Sequence, residues 1–519
     1  MELDLLHSGA GGGGRSDLRL LVNPGLSVLD ERGIRQPVIA EAIPTLENGL
    51  WQLLPDGRME TTWKLRPGTR WHDGAPFTTE DLLFTTSVGR DQDLPAFAHT
   101  VYRAIDGILA LDPYTITVSW RAPYVEADFM FVYGVTLPMP KHLLENAFRE
   151  DKSNITNLPF WTEDYVGLGP YRVREWSAGS HVLLAANDNY VLGRPRIDEI
   201  EVRFIPDANA LMANILAGSV DLMLGTLGSV DQGIALRDQW RDGKVSFSFD
   251  SNDWIAAYPQ LMGSRPAIVS DVRFRRALMH TLDRKEMVDS LQSGISAVAD
   301  SYLSPGQLDY RDIEARLPRY EYDPRRATQM IEELGYSRGA DGTFRDVANE
   351  VLHIEIRSLP AAQTVRPATT VADYWQRVGV STSLVPDSPQ LLQDLEYRAT
   401  FPAFYVLNQG NDIIGLPNLH SSRTRLPENR FQVPGNGNWS RYINPELDGL
   451  IDTYLTTIPK RERIETLGQV IYRIADQLTI MGLYYNPRPE PVANRLMNVH
   501  PQRAPRSPIV WNAHEWDLP

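Results

Sequence analysis

The chain of 519 residues contains no cysteine, which excludes disulfide staples, thiolate metal sites and cysteine nucleophiles together. That absence fits an exported protein kept clear of oxidisable thiols. No window reaches the roughly 18 consecutive apolar residues of a membrane span, so no transmembrane segment of its own is expected. The opening residues 1–7, MELDLLH, lack the basic head and apolar run of a secretory leader. Basic residues are the minority, 51 against 66 acidic ones, for a formal charge of −15. A nucleic-acid partner, whose phosphates Lys and Arg must neutralise, is therefore not expected. Signatures of catalysis and cofactor binding are missing too: there is no G-x-S-x-G elbow, Walker A loop, G-x-G-x-x-G after a strand, or H-E-x-x-H. The ten histidines are dispersed from His7 to His514 without metal-ligand spacing, so neither a metal nor a cofactor is expected.

What is present describes a folded globular protein. Hydrophobic residues make up 42% and charged residues 23%, ordinary values that fit neither disorder nor a coiled coil. The length exceeds the roughly 250–300 residues at which a single core stops growing, so at least two domains are expected. Twelve Trp, 21 Tyr and 15 Phe are enough for a recognition surface in addition to the core. Residues 8–15, SGAGGGGR, read as a flexible linker.

Local patterns alternate between strand and helix. Two strand-like runs flank Asp56-Gly57, the second at 59–66, and Pro67-Gly68 stops it. Thr78 and Asp81 form a capping box before Leu82, Leu83 and Phe84. Strand patterns recur at 114–120, 169–176, 181–185 and 197–204. A helix capped by Asp207 and closed by Gly218 leads into a further strand at 220–224. Beyond residue 270 helices dominate, with starts at Asp271, at Asp283 and at Asp323-Pro324. A strand at 352–356, a helix at 369–378, a helix opened by Asn444-Pro445 and a long amphipathic helix over 464–478 complete the series. This alternation predicts an α/β protein of two lobes.

Segment 59–84, METTWKLRPGTRWHDGAPFTTEDLLF, resembles the signature of the family 5 extracellular solute-binding proteins, the dipeptide, oligopeptide and nickel receptors of ABC importers. Further segments agree in order: Val166-Gly-Leu-Gly-Pro-Tyr171 with Glu175-Trp176, Asn187 to Ile200, Asp271-Val-Arg-Phe-Arg-Arg-Ala-Leu278 with Asp283-Arg284, and Asn438-Trp-Ser-Arg-Tyr-Ile-Asn-Pro-Glu-Leu-Asp448. The residues themselves read first as fold markers. His72-Asp-Gly74 is a tight turn rather than a catalytic pair.

The resemblance implies a two-lobed periplasmic-binding-protein fold, class II-like, with mixed sheets flanked by helices and a ligand cleft between the lobes. On that pattern lobe I spans 1–255, lobe II 256–486, and 487–519 returns to lobe I. The crossovers fall near Trp254 to Leu261 and Tyr484 to Asn494. The resemblance further implies a monomeric, periplasmic, non-enzymatic receptor that closes on a small-molecule or peptide ligand and is read by the permease subunits of an ABC importer. It also leads to the expectation that an export signal and the first mature residues are missing ahead of Leu18.

Peptide receptors of this family carry G-W-x-x-D, with the acid pairing the peptide amine. The corresponding stretch here is Val406-Leu-Asn-Gln-Gly-Asn-Asp412. Asn408 stands for the tryptophan, and Asn411 or Asp412 for the acid, depending on a one-residue shift. If Asn411 holds that place, no carboxylate balances a buried ammonium, which argues against ordinary peptides. Arg398 lies where some relatives carry an arginine for an anionic group. Trp254, Trp375, Tyr405, Trp439 and Tyr485 are the aromatic candidates for the cleft. A secreted hydrolase using a cleft carboxylate pair is the rival reading.

Overall fold

The computed structural model describes residues 14–94, 97, 101–225, 228–248, 254–504 and 506–519. The opening heptapeptide, and the glycine run up to Gly13, lie outside them. The chain forms two compact units: Met1–Ser248 with Leu455–Ile458 and Arg488–Pro519, and Phe249–Tyr454 with Pro459–Pro487.

The first unit is built on antiparallel sheets. Strands Trp51–Leu53, Met59–Lys64, Thr115–Trp120 and Ile105–Asp112 pair in that order. The hairpin turns at Gly57, whose φ of +85° is the left-handed conformation glycine adopts without strain. Trp63 and Trp120 are fully buried under this sheet, and the Trp120 indole donates to Thr61 Oγ1 at 2.9 Å. Helix Thr79–Arg90 starts with the expected box: Thr78 accepts from Glu80 N, and Asp81 accepts from Thr78 N at 3.0 Å. A meander of Tyr171–Ser177, His181–Ala186 and Glu199–Arg203 follows. Residues 220–224, expected as a strand, contribute only a single bridge from Leu222 to Val492. Strand Arg488–Ala493 is instead paired along its whole length with Gly243–Ser248.

The motif residues of this unit lock loops together. His72 accepts from Gly167 N through Nδ1 and donates through Nε2 to Gly169 O, both at 3.1 Å. Burial pulls this imidazole down to about 4, so it is neutral and can play both parts. Gly167 and Gly169 are required by close approach: a Cβ on either would lie 2.0 Å from Val22 O or 2.4 Å from Val22 C. Gly74 has φ +91° and Asp73 accepts from Ala75 N, as a tight turn demands.

The second unit centres on a five-stranded sheet ordered Ser381–Pro386, His353–Ser358, Phe404–Gln409, Trp254–Pro259, Met481–Tyr485. The first three strands run parallel, and Trp254–Pro259 is antiparallel to both of its neighbours. Helix Ala362–Arg377 makes the crossover between two parallel strands and runs through Pro367. It begins seven residues before the expected start at Thr369. Proline removes a helical donor, but Pro367 is buried, and Ala368, Val371 and Trp375 on the same helix pack into the core. Asp271, Asp283 and Asp323 each cap a helix as expected. Arg284, 5% exposed, gathers the carbonyls of Ala299, Gly482 and Tyr320 and the Asp300 carboxylate at 2.6–3.2 Å. Among the described residues no helix is long and apolar enough to cross a membrane.

Candidate ligand site

Strand Phe404–Gln409 carries the recognition segment of the second unit. Its first four residues are buried, and Asn408 at its end is half-buried opposite Ile255. Gly410, Asn411 and Asp412 then leave the sheet. Asp412 caps the short 3₁₀ helix Ile413–Leu419 by accepting from Gly415 N at 2.9 Å. The Asn411 carbonyl accepts from Gln307 Nε2 at 2.9 Å, while its buried amide Nδ2 has no acceptor. Asp412 therefore has a structural duty, and Asn411 presents an unused donor.

Beside this turn lies a cavity of about 30 Å³, lined among others by Tyr258, Tyr302, Gln409, Trp439 and Tyr442. Trp254 stands behind Tyr302, edge to face at 5.6 Å. Tyr485 pairs with Trp254 across the sheet, and its hydroxyl donates to the carbonyls of Ser301 and Leu303 at 2.9 and 2.8 Å. Tyr485 thus positions the loop that carries Tyr302 rather than lining the cavity itself. Trp375 sits apart, fully buried against Phe404 at 4.8 Å in the hydrophobic core.

A second group surrounds Trp439. Tyr405 packs against it at 5.6 Å, and the guanidinium carbons of Arg398 and Arg425 lie 5.1 and 4.9 Å from its ring centre. The Tyr405 hydroxyl bonds Asp387 Oδ2, and Tyr397 donates to Oδ1 of the same carboxylate at 3.2 Å. Burial first, and the Asp387 charge second, hold the Tyr405 phenol protonated far above its ordinary range. Burial, with Arg398 as a like-charged neighbour, lowers the Arg425 guanidinium. Of the residues picked from sequence, the fold thus gathers Trp439 against Arg398 and Tyr405, on the segment that continues into Asn411 and Asp412, with Trp254 and Tyr485 on the adjoining strands. Arg425, Asp387 and Tyr302 had no motif to mark them. The Asn438-Trp439 motif and the Val406–Asp412 stretch pointed to the region, but not to these three residues.

The rival reading calls for a carboxylate pair. In the first unit burial raises the Asp17 and Glu490 carboxyls to about 7, and the Glu490 charge adds to the rise at Asp17. Each is enclosed: Asp17 accepts from Gly225 N at 3.1 Å, and Glu490 Oε2 accepts from Gln502 N at 3.2 Å and lies 3.4 Å from Ser246 Oγ. Their exposures of 5% and 6% leave no approach for a sugar ring.

Comparison with known proteins bears on the whole chain. The oligopeptide-binding protein AppA of Bacillus subtilis is 24% identical over 515 residues, covering 97% of this chain and 87% of that protein. The crystal structure of AppA from Clostridium difficile superposes with a TM-score of 0.76 at 19% identity, covering all of both chains. The periplasmic EDTA-binding protein EppA gives 0.77 at 17% identity, covering 100% of this chain and 94% of its own. These likenesses establish the family 5 solute-binding fold. The model of the bacterial extracellular solute-binding proteins, family 5, matches residues 41–419, and with the fold and the motif-bearing loops described above this chain belongs to that family.

Proposed function

We propose that this chain is the periplasmic substrate-binding receptor of an ABC importer. It captures a peptide-like or other small solute by hinge closure and delivers it to the importer's membrane permease subunits. The family match over residues 41–419 carries this reading. Relatives of similar fold are named for oligopeptides, for EDTA and for nickel bound to histidine, so family membership leaves the solute open. The cavity-side tyrosines, Trp439, Arg398 and the unused Asn411 amide are the residues assigned to recognition. Ordinary peptides fit less well, since the only acid in the turn, Asp412, is engaged in capping.

Thermal-shift screening against peptides, opines and oligosaccharides tests the proposal. A solute held by the native state alone at a hundred times its Kd adds about 2.7 kcal/mol of stability. Small-angle scattering with that solute should register a more compact particle. Turnover of one solute, with no solute raising stability, would sink the receptor reading.

A further inference from the structure

Although 23% of the chain is charged, no charged residue lines the cavity of the second unit. Its walls combine phenols, from Tyr258, Tyr302 and Tyr442, with amides, from Gln409, Asn418 and Asn438. Arg398 and Arg425 stack on Trp439, yet neither belongs to the lining. An ammonium or a carboxylate placed in this cavity would give up its water and gain no counter-charge from the walls, which is costly. A neutral polar group meets no such penalty.

Hydrogen bonds hold these walls in place. Asn438 Nδ2 donates to the carbonyls of Leu419 and Tyr442 at 3.3 and 2.7 Å, and its Oδ1 accepts from Tyr442 N at 3.2 Å. The Ser440 hydroxyl donates to the Thr479 carbonyl. The loop that carries Trp439 is thereby tied to the 3₁₀ helix Ile413–Leu419 and to the residues just ahead of strand Met481–Tyr485. Within this frame two lining amides stay idle: among the described residues the half-buried side chains of Gln409 and Asn418 have no hydrogen-bonding partner. Gly435 leaves the second of them room, since a Cβ there would lie 2.6 Å from Asn418 Oδ1, and its φ of +68° suits glycine. The buried indole N–H of Trp439, also part of the lining, has no acceptor. Idle donors and idle acceptors thus lie side by side. A hydroxyl is the small neutral group that serves both, since it donates once and accepts through two lone pairs. At about 30 Å³ the cavity takes one such arm of a solute rather than the whole molecule.

We propose that this cavity is a subsite for an uncharged, hydroxyl-bearing arm, so that the transported solute is a neutral sugar or polyol. The transport role rests on the receptor reading, but the subsite is testable by binding alone. Glucose, sorbitol, cellobiose and maltotriose are the probes, titrated into the full-length chain by calorimetry and followed by melting temperature. At least one should bind and raise the melting temperature by a few degrees. That sugar is then compared with derivatives changed at one terminal hydroxymethyl group, to carboxylate, to aminomethyl or to methyl. The two charged derivatives should bind roughly tenfold more weakly or worse, and the methyl derivative about fivefold more weakly.

Variants assign the effect to the cavity. Gln409→Ala and Asn418→Ala should each weaken the parent sugar about fivefold. Gln409→Glu places a carboxylate in the wall and should reverse the order in favour of the aminomethyl derivative, a change that a merely structural role for Gln409 does not produce. Equal affinity for neutral and charged derivatives, or unchanged affinity in both alanine variants, would overturn the subsite. Should a variant fail to fold, the derivative series on the wild type still decides. No response to any of the four probes would overturn it as well, and a peptide or charged solute that binds in the wider screen would then leave the receptor reading standing. Turnover of a sugar in the same derivative order, with no solute raising stability, would do the reverse.

Discussion

Glu490 offers the sharpest quantitative test of how the first unit is held together. Its carboxyl is 6% exposed, its Oε1 has no partner, and burial lifts it from 4.5 to about 7. An acid whose folded value is raised binds its proton more tightly in the native state than in the unfolded chain. Stability is therefore undiminished below pH 4.5, falls as pH rises toward 7, and stays reduced above it. At about 1.4 kcal/mol for each tenfold difference in proton affinity, the full effect is about 3 kcal/mol. Glu490→Gln keeps the shape, keeps an oxygen for the Gln502 amide and cannot ionise. The variant should match the wild type near pH 4.5 and exceed it by about 2–3 kcal/mol at pH 8. Urea unfolding of both proteins, followed by tryptophan fluorescence from pH 4.5 to 8.5, yields the difference directly; groups remote from Glu490 cancel in it, and Asp17, whose carboxyl the Glu490 charge helps to raise, adds to it with the same sign. A difference that stays flat with pH, or a variant weaker than the wild type at pH 8, would refute the reasoning.

Other perturbations follow from the same structure. Gly169→Ala drives a Cβ into the Val22 backbone at 2.4 Å and should cost about 1–3 kcal/mol, read as a lower urea midpoint. Tyr405→Phe removes one of two hydroxyls that bond the buried Asp387; a loss of about 1–3 kcal/mol is expected, and an unchanged midpoint would show that the contact contributes nothing. His72, held down to about 4 by burial, should keep a neutral ring in NMR titrations until the pH falls near that value, and a midpoint near 6.5 would contradict its buried clamp.

Local chemistry was legible wherever it acts over a few residues. The caps at Thr78, Asp207, Asp271, Asp283 and Asp323 each accept from a backbone N–H of the first turn, and the hairpin at Gly57 turns as its sequence demands. Motif spacing also located the loops that His72 and Arg284 tie together, because those glycines and charges answer to close approach rather than to any ligand. What escaped was decided at long range. Residues 220–224 carry strand-like side chains, yet they meet strand Arg488–Ala493 through the single bridge of Leu222 to Val492, while Gly243–Ser248 pairs with it along its whole length. Pro367 masked the first turns of its helix because the core that overrides it is assembled from distant strands. At the site, Trp375 and Trp439 look alike in sequence. Only the fold separates a ring packed on Phe404 from one packed beneath two arginines.

The strand order has a consequence for how the protein is made. Trp254–Pro259, buried at every position, is flanked by Phe404–Gln409 and Met481–Tyr485, both of which leave the ribosome long after it does. Gly243–Ser248 likewise waits for Arg488–Ala493. During synthesis Trp254–Pro259 is an apolar edge and Gly243–Ser248 a mixed one, both without partners, the kind of surface on which nascent chains associate wrongly. A holdase that covers them until the last strands emerge should therefore raise the yield of folded protein more than any aid given to the early hairpins, which close on themselves as soon as they are translated.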